Sequence, residues 1–298
     1  MNRLEAMTIL VAAVDTGSLS AASRRLRIPL ATVSRRVSEL EEHLKVRLLH
    51  RGNRKLVLTD AGRSYVDSCR RIMEEIADVE RAASGEYRAP QGELVITATA
   101  VMGRSLVMPI VAEFLRLFPD IWIRLLLTDR FVNLVEEHVD LAVRMGQLPD
   151  SSMIAVRVGS VRRMLCASPA YLETHGVPNE PADLASHECV TYDPGASWEF
   201  HRNGAAQTIQ MPSRLSVNLG EAIVAAAACG AGIAGAFSYL IEDLVKSRAL
   251  VPLLEAYEPP PLPVSLVYPS QRQVPLKLRA FLDFSIPRLR QRLGYMNT

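Results

Sequence analysis

Residues 18–44 read SLSAASRRLRIPLATVSRRVSELEEHL. Leu19, Ala22 and Leu26, then Val33, Val37, Leu40 and Leu44, recur at three- and four-residue spacing. That is the apolar stripe of two short amphipathic helices. The stripe breaks at Arg27-Ile28-Pro29-Leu30, because proline lacks the N–H a continuing helix needs and its ring clashes with the preceding turn. Ser18 or Ser20 is placed to cap the first helix through its hydroxyl. Thr32, Ser34, Arg35, Arg36 and Ser38 lie among or beside the apolar positions of the second. Two helices about a tight turn, the second with short polar donors and arginines near its start, read as a helix-turn-helix. In that motif the second helix enters the major groove. Taken alone, the pattern also suits an ordinary helical hairpin with a solvated basic face.

The charge is distributed unevenly. The chain of 298 residues is long enough for about two domains, and its 49% hydrophobic and 22% charged residues fit a globular protein. Its net charge is only +2. Residues 1–60, however, carry 11 Lys/Arg against 6 Asp/Glu, and the remainder carries 23 against 26. A basic front on a mildly acidic body is the asymmetry expected of a DNA-binding head. Cys69, Cys166, Cys189 and Cys229 are scattered without metal or disulfide spacing, so they read as buried thiols in a reducing cytoplasm. Residues 6–14 (AMTILVAAV) imitate a signal sequence, but Asp15 and Gly17-Ser18 follow without a cleavage pattern. This stretch is expected to be the first helix of the head, packing Leu4, Met7, Leu10, Val11 and Val14. No apolar run is long enough to span a bilayer.

Beyond the second helix, residues 46–59 read as a two-stranded wing with Arg51-Gly52-Asn53-Arg54 at its tip. Thr59-Asp60 opens a long helix to about residue 88. Within it Tyr65, Cys69, Ile72, Ile76, Val79 and Ala83 keep the alternating four- and three-residue spacing of a coiled-coil seam, which marks a dimerisation surface. Residues 84–91 (SGEYRAPQ) form a linker. From there strands and helices alternate. Strands are expected at 94–97, 121–127 and 141–144, with helices at 102–118 and 131–138. A second unit, from about residue 162 to 252, holds strands near 164–167, 190–192, 198–201, 208–210, 215–217 and 233–237, and helices near 171–174, 182–187, 219–229 and 239–247. A last strand at 264–268 and helix at 276–289 return to the first unit. Such alternation implies a largely parallel sheet covered on both faces.

The segments SLSAASRRL, ATVSRRVSELEEHL and VRLLHRGNRKLVLTDAG together resemble the N-terminus of the LysR-type transcriptional regulators. The likeness is close over residues 3–89 and looser beyond. Lys45 departs from the glycine that usually ends the second helix, and Gly52-Asn53 from the threonines frequent in the wing. The resemblance implies an α/β protein of three parts. These are a winged helix-turn-helix DNA-binding domain (1–59), a dimerisation helix (60–89) and a two-lobed α/β effector domain similar to periplasmic binding proteins (90–298). Lobe I would take about 90–160 and 264–298, lobe II about 161–263. The candidate DNA contacts are Ser20, Ala31, Thr32, Ser34, Arg35 and Arg36, with Arg51 and Arg54 of the wing on the backbone. The candidate dimer contacts are Tyr65, Cys69, Ile72, Ile76 and Val79.

Two α/β lobes leave a cleft, and ligands in such sheets bind beyond the carboxyl ends of strands. Two places fit: Thr97-Ala98-Thr99-Ala100-Val101, and Asn218-Leu219-Gly220-Glu221, which has the capping-box spacing. Free N–H groups at a helix start favour an anion. Thr128 ends the next strand and can donate a hydroxyl to the same cleft, and the resemblance implies effector contacts at these three positions. Thr99, Ala100, Val101, Thr128 and Asn218 are candidate contacts for a small anionic effector, with plain capping of their own helices as the alternative for Thr99, Thr128 and Asn218. Gly230-Ala231-Gly232-Ile233-Ala234-Gly235 matches GxGxxG. It lies between an expected helix and an expected strand, the reverse of a dinucleotide site. No histidine has metal spacing, and no nucleophile elbow is present, so neither metal, cofactor nor catalytic residue is assigned. The expected partners are a double-stranded DNA operator, a small-molecule effector, a second copy or three further copies of the chain, and RNA polymerase; no membrane is expected. Two other readings remain: an α/β enzyme with a DNA-binding extension, and a constitutive DNA binder without an effector.

Overall fold

In a computed structural model of the chain, residues 2–50, 56–84, 89–149, 152–202, 204–270 and 274–294 are described, residues 74–75 and 78–84 by their backbone alone. The chain divides into two compact units, 1–89 and 90–298.

The first unit, the head, is built on α1 (Arg3–Asp15), α2 (Leu19–Leu26), α3 (Leu30–Leu44) and α4 (Asp60–Ser84). Ser18 caps α2, its Oγ accepting the Ala21 N–H at 3.1 Å. Arg27 then takes a left-handed conformation with φ 55°, and the Ser23 hydroxyl donates to the Ile28 carbonyl at 2.6 Å. Pro29 sits at the N-cap of α3, where its missing N–H costs no helical bond. Lys45 ends α3 with φ 54°, filling the left-handed role that glycine has in most helix ends. The wing is reduced to its base among the described residues: Leu49 bridges Leu58, His50 N–H donates to the Val57 carbonyl and Thr59 N–H to that of Leu48. The wing tip with Arg51 and Arg54 lies outside the described residues.

The head core joins Ala6, Ile9, Leu10 and Val11 of α1, Val33, Val37 and Leu40 of α3, Leu48, and Val66 and Cys69 of α4. Two expectations are corrected here. Leu4 is exposed, because the buried stripe of α1 runs through Ala6, Ile9, Leu10 and Ala13 instead. Tyr65 and Cys69 are not seam residues. Cys69 is fully buried and Tyr65 packs on the same cluster, because α1 needs a covering helix and the first turns of α4 supply it. Ile72 is 40% exposed and Ile76 half-buried; the side chain of Val79 lies outside the described residues. The start of α4 is pressed onto the head at Gly62, where a Cβ would lie 2.0 Å from the Leu48 carbonyl oxygen.

The second unit, the body, holds two five-stranded sheets. The first has β1 (Gly92–Ala98), β2 (Ile121–Leu127), β3 (Leu141–Met145), β4 (Met153–Val161) and β12 (Leu262–Pro269), in the order β2-β1-β3-β12-β4. Here β1 runs parallel to β2 and β3, and β12 antiparallel to β3 and β4. One face is covered by α5 (Ala100–Met102), a π-helical turn (Gly103–Val107), α6 (Met108–Leu117) and α10 (Leu276–Arg292). These meet the sheet through Leu94, Ile96, Ile110, Phe114, Leu266 and Phe281, among others. The second sheet has β5 (Arg163–Ala167), β6 (Cys189–Thr191), β9 (Ser213–Ser216), β10 (Ile233–Phe237) and β11 (Val251–Leu253), in the order β11-β5-β10-β6-β9. Around it lie α7 (Pro169–His175), a 3-10 turn (Pro181–Ser186), α8 (Gly220–Ala228) and α9 (Ser238–Lys246). A separate hairpin pairs β7 (Ser197–Arg202) with β8 (Ala205–Gln210).

Both sheets are therefore mixed rather than largely parallel, because the chain enters and leaves lobe II through antiparallel strands. Strands β4 and β11 were not expected. The helix expected at 131–138 is absent. Asn133 Oδ1 accepts the N–H groups of Val135 and Glu136, a local alternative to helical pairing, and His138 closes the turn with φ 56°. Val132, Leu134 and Val139 still cover the other face of the first sheet, which accounts for the apolar spacing.

Candidate nucleic-acid interface and effector cleft

On the head, the faces of α2 and α3 not used by the core hold most of the expected DNA contacts. Ser20, Ala31, Ser34 and Arg35 are exposed and Thr32 is half-buried. Arg35 has only a loose pairing to Glu39 at 3.8 Å. Arg36 differs: it bonds Glu39 at 3.1 Å and reaches Glu5 of α1 at 3.3 Å. That ties α3 to α1 and turns its charge away from the free face. Arg24 and Arg27, which the sequence reading passed over, are exposed beside the turn; their signal was the RRLR run ending α2. A further group missed from sequence is Glu41. It is buried on α3, and its Oε1 accepts the N–H groups of Leu48 at 2.7 Å and Leu49 at 3.0 Å. Arg47 donates to its other oxygen at 3.2 Å. One carboxylate thus fixes the strand that carries the wing.

In the body, a cavity of about 230 Å³ lies between the lobes. Its walls are largely apolar: Val101 and Met145 from lobe I, and Trp198, Ala236, Phe237 and Leu240 from lobe II. Thr99, Asp129, Arg163, Tyr192 and Tyr239 bring the polar atoms. Of the expected effector contacts, Thr99 and Val101 line this cavity. Ala100, Thr128 and Asn218 are not among its lining residues. Thr128 Oγ1 accepts the Arg130 N–H in a local turn. Asn218 is exposed, α8 starts at Gly220 with Leu219 as its uncapped N-cap, and the expected capping box does not form. Glu221 instead accepts from Arg104 of lobe I, Nε to Oε1 at 2.8 Å, which joins the two lobes at the cleft.

The two helix starts facing the cavity already hold partners. The Ala100 N–H donates to Asp129 Oδ1 at 3.1 Å. The Tyr192 hydroxyl lies over the start of α8, 3.4 Å from where a Cβ on Gly220 would stand. Burial raises the Tyr192 phenol above its usual range, with the negative charges of Asp129 and Glu221 adding to it. Tyr239 is pushed up by burial and then by Tyr192, Asp129 and Glu221. This corner of the cavity is electronegative. On the lobe II side, Arg163 donates from Nη2 to Glu199 Oε2 at 3.2 Å, and His201 Nε2 lies 2.5 Å from Glu199 Oε1. The His201 and Arg163 hydrogen bonds hold the Glu199 carboxyl below its usual range. The Nε of Arg163 is buried without an acceptor.

The GxGxxG stretch takes its structural meaning here. It follows α8 and runs into β10, in the order opposite to a dinucleotide site. Gly235 is required for another reason: a Cβ there would lie 2.1 Å from Cζ3 of Trp198, whose ring packs flat on the strand.

A helix-turn-helix on one unit and a lined cleft between two α/β lobes on the other define a ligand-responsive DNA-binding regulator. The sequence matches the family described as "Bacterial regulatory helix-turn-helix protein, lysR family" over residues 4–63 and that described as "LysR substrate binding domain" over residues 88–290. The chain belongs to the LysR family of transcriptional regulators. It is 32% identical to an HTH-type transcriptional repressor of Pseudomonas aeruginosa, over 95% of this chain and 91% of that one. It is 31% identical to the HTH-type transcriptional activator AaeR of Escherichia coli, over 95% and 93%. The solved structure of CrgA, a LysR-type regulator from Neisseria meningitidis, matches with a TM-score of 0.62 at 33% identity, covering 96% of this chain and 98% of that one. The family consists of transcriptional regulators and not enzymes; its members bind DNA and small effectors and are oligomeric. Among the described residues no single helix is long and apolar enough to cross a membrane.

Proposed function

We propose that this regulator reads a two-fold related operator through α3 and the wing, as a dimer or tetramer in the cytoplasm, and that a small molecule in the inter-lobe cavity alters its action on transcription, RNA polymerase being the further partner. The DNA-binding part is residues 1–59, the dimerisation helix 60–89 and the effector-binding part 90–298. The observation that carries the DNA reading is the division of α3. Val33, Val37 and Leu40 are buried while Ala31, Ser34 and Arg35 are left exposed on a basic head. A free face with two short side chains and one guanidinium suits close approach to base edges. Ser20, Thr32, Arg51 and Arg54 are proposed to hold phosphates, and Arg24 and Arg27 join them. Arg36 is assigned to head structure. Thr99 and Val101 are kept as effector contacts; Ala100, Thr128 and Asn218 serve the backbone or solvent.

Binding of Arg35→Ala and of an Arg51→Ala/Arg54→Ala double variant to the operator, titrated against salt, tests this. Loss of the wing arginines should weaken binding to every sequence and lower the salt slope by about one per phosphate contact. Arg35→Ala should in addition narrow the gap between operator and random DNA by roughly 1–3 kcal/mol. Unchanged specificity in Arg35→Ala would remove α3 from base readout.

A further inference from the structure

We infer that Arg163 selects the effector by its charge, and that the effector is a small, flat, mainly apolar molecule with one anionic group. This rests on the reading of the cavity as the effector site and departs from the placement that a sequence alone suggests, an anion on the two helix starts.

Those helix starts are taken. Asp129 already places a carboxylate on the Ala100 N–H, and an incoming anion there would meet that charge at close range. The α8 start is covered by the Tyr192 hydroxyl. Burial raises both phenols, and the negative charges of Asp129 and Glu221 on this side of the cavity add to it. The opposite side carries the only cation among the lining residues, Arg163. Its carboxylate partner Glu199 is shared with His201, so the guanidinium has donors in excess of acceptors. Its buried Nε has none. A buried, unmet guanidinium donor is costly, and a shift of the side chain toward a ligand oxygen in the cavity would relieve it with a charge-assisted bond.

Shape sets the rest. The cavity, about 230 Å³, lies below the roughly 300–1,000 Å³ of sites for drug-sized ligands, which limits the occupant to about one substituted ring. Trp198, held against the strand at Gly235, and Phe237 present aromatic surface to it. A ring stacked there with its anionic end toward Arg163 and any hydroxyl or amine toward Asp129 meets every polar wall with the matching sign.

The test uses the full chain and three probes of one shape: benzoate, neutral benzamide and cationic benzylamine. Affinities are measured by calorimetry, and folding of each variant by its melting temperature. Wild type should bind benzoate roughly tenfold or more tighter than benzamide, the scale of one charge-assisted hydrogen bond, and benzylamine weakest. Arg163→Gln should erase the preference for benzoate, and Arg163→Lys should restore part of it. Glu199→Gln, which leaves Arg163 without its competing carboxylate, should tighten benzoate and leave benzamide unchanged. That opposite sign separates charge selection from general damage to the lobe. Gly235→Ala, which drives Trp198 into the cavity, should weaken all three probes alike.

Equal binding of benzoate and benzamide to wild type would overturn the assignment, as would a benzoate preference that survives Arg163→Gln. No detectable binding of any probe at millimolar concentration would overturn the proposed ligand class. None of these results touches the effector reading itself. That reading fails separately, if Gly235→Ala, with its cavity filled, responds to a broad compound panel in operator footprinting as wild type does.

Discussion

Glu41 shows how much of a DNA-binding head can hang on one side chain. On paper it is one of three acidic residues, Glu39, Glu41 and Glu42, clustered about Leu40 on a helix. In the structure it is buried, and it accepts two backbone N–H groups of the strand leading to the wing. Removing such an acceptor orphans both donors at roughly 1–3 kcal/mol each. Glu41→Leu is therefore expected to lower the urea midpoint of the head and to weaken DNA binding, whereas Glu41→Gln, which keeps one acceptor oxygen, should cost less. Both tryptophans, Trp122 and Trp198, lie in the body. Far-UV circular dichroism should then shift while tryptophan fluorescence holds its midpoint. A Glu41→Leu protein with an unchanged dichroism transition would show the carboxylate to be dispensable.

The first turns of the long helix α4 pack on the head core, while Ile72 stands away from it, a division only half visible in its sequence. The 4,3,4 spacing from Tyr65 onward is real, but two partners compete for it. Gly62, Val66, Cys69 and Met73 form the stripe that meets α1 and Leu48. Ile72 and Ile76 point elsewhere, Ile72 being 40% exposed. Ile72→Glu with Ile76→Glu should leave the melting of the head near wild type while yielding a smaller species by sedimentation, since a charge facing a partner helix costs several kcal/mol when unpaired. Cys69→Asp should instead unfold the head. If the double Glu variant sediments like wild type, the seam lies further along the helix. The same competition explains what else was legible. Helices α1–α3 and the turn at Pro29 could be read because period, cap and break agree locally. Strand β4 could not: Arg157 and Gly159 weaken its strand signal, and its partner β12 lies far along the chain. The cleft was found from the strand ends, and Trp198 could be placed at it or on a surface hairpin, yet Arg163 and Asp129 were not found, because their meeting depends on how two sheets face one another. The helix starts carry a related lesson: sequence shows which N–H groups a helix leaves free, not that Asp129 from beyond another strand takes that of Ala100.

Across the body, the two lobes are joined by chain crossovers and by one polar contact at the cleft. At the crossover Arg162 bonds Glu258 at 2.7 Å and Glu255 at 3.0 Å, linking the two passing segments whatever the lobes do. The Arg104–Glu221 pair is different. Arg104 belongs to the π turn of lobe I and Glu221 to α8 of lobe II, so an opening of the cleft is expected to break the bond. A contact made in one state alone shifts the equilibrium between states by its own free energy. Arg104 is 65% exposed, which limits such a pair to about 0.2–1 kcal/mol. Its loss should thus lower the population of the closed form, and with it the apparent affinity for any ligand that needs closure, by a factor of up to about 5. Arg104→Gln is expected to weaken benzoate and benzamide by that same factor, leaving their ratio intact, because the pair lies outside the wall formed by Arg163. Operator footprints should then change at a correspondingly higher effector concentration. A variant whose ligand affinities match wild type would mean that the pair is made equally well in both states, and a changed benzoate-to-benzamide ratio would mean that Arg104 touches the ligand.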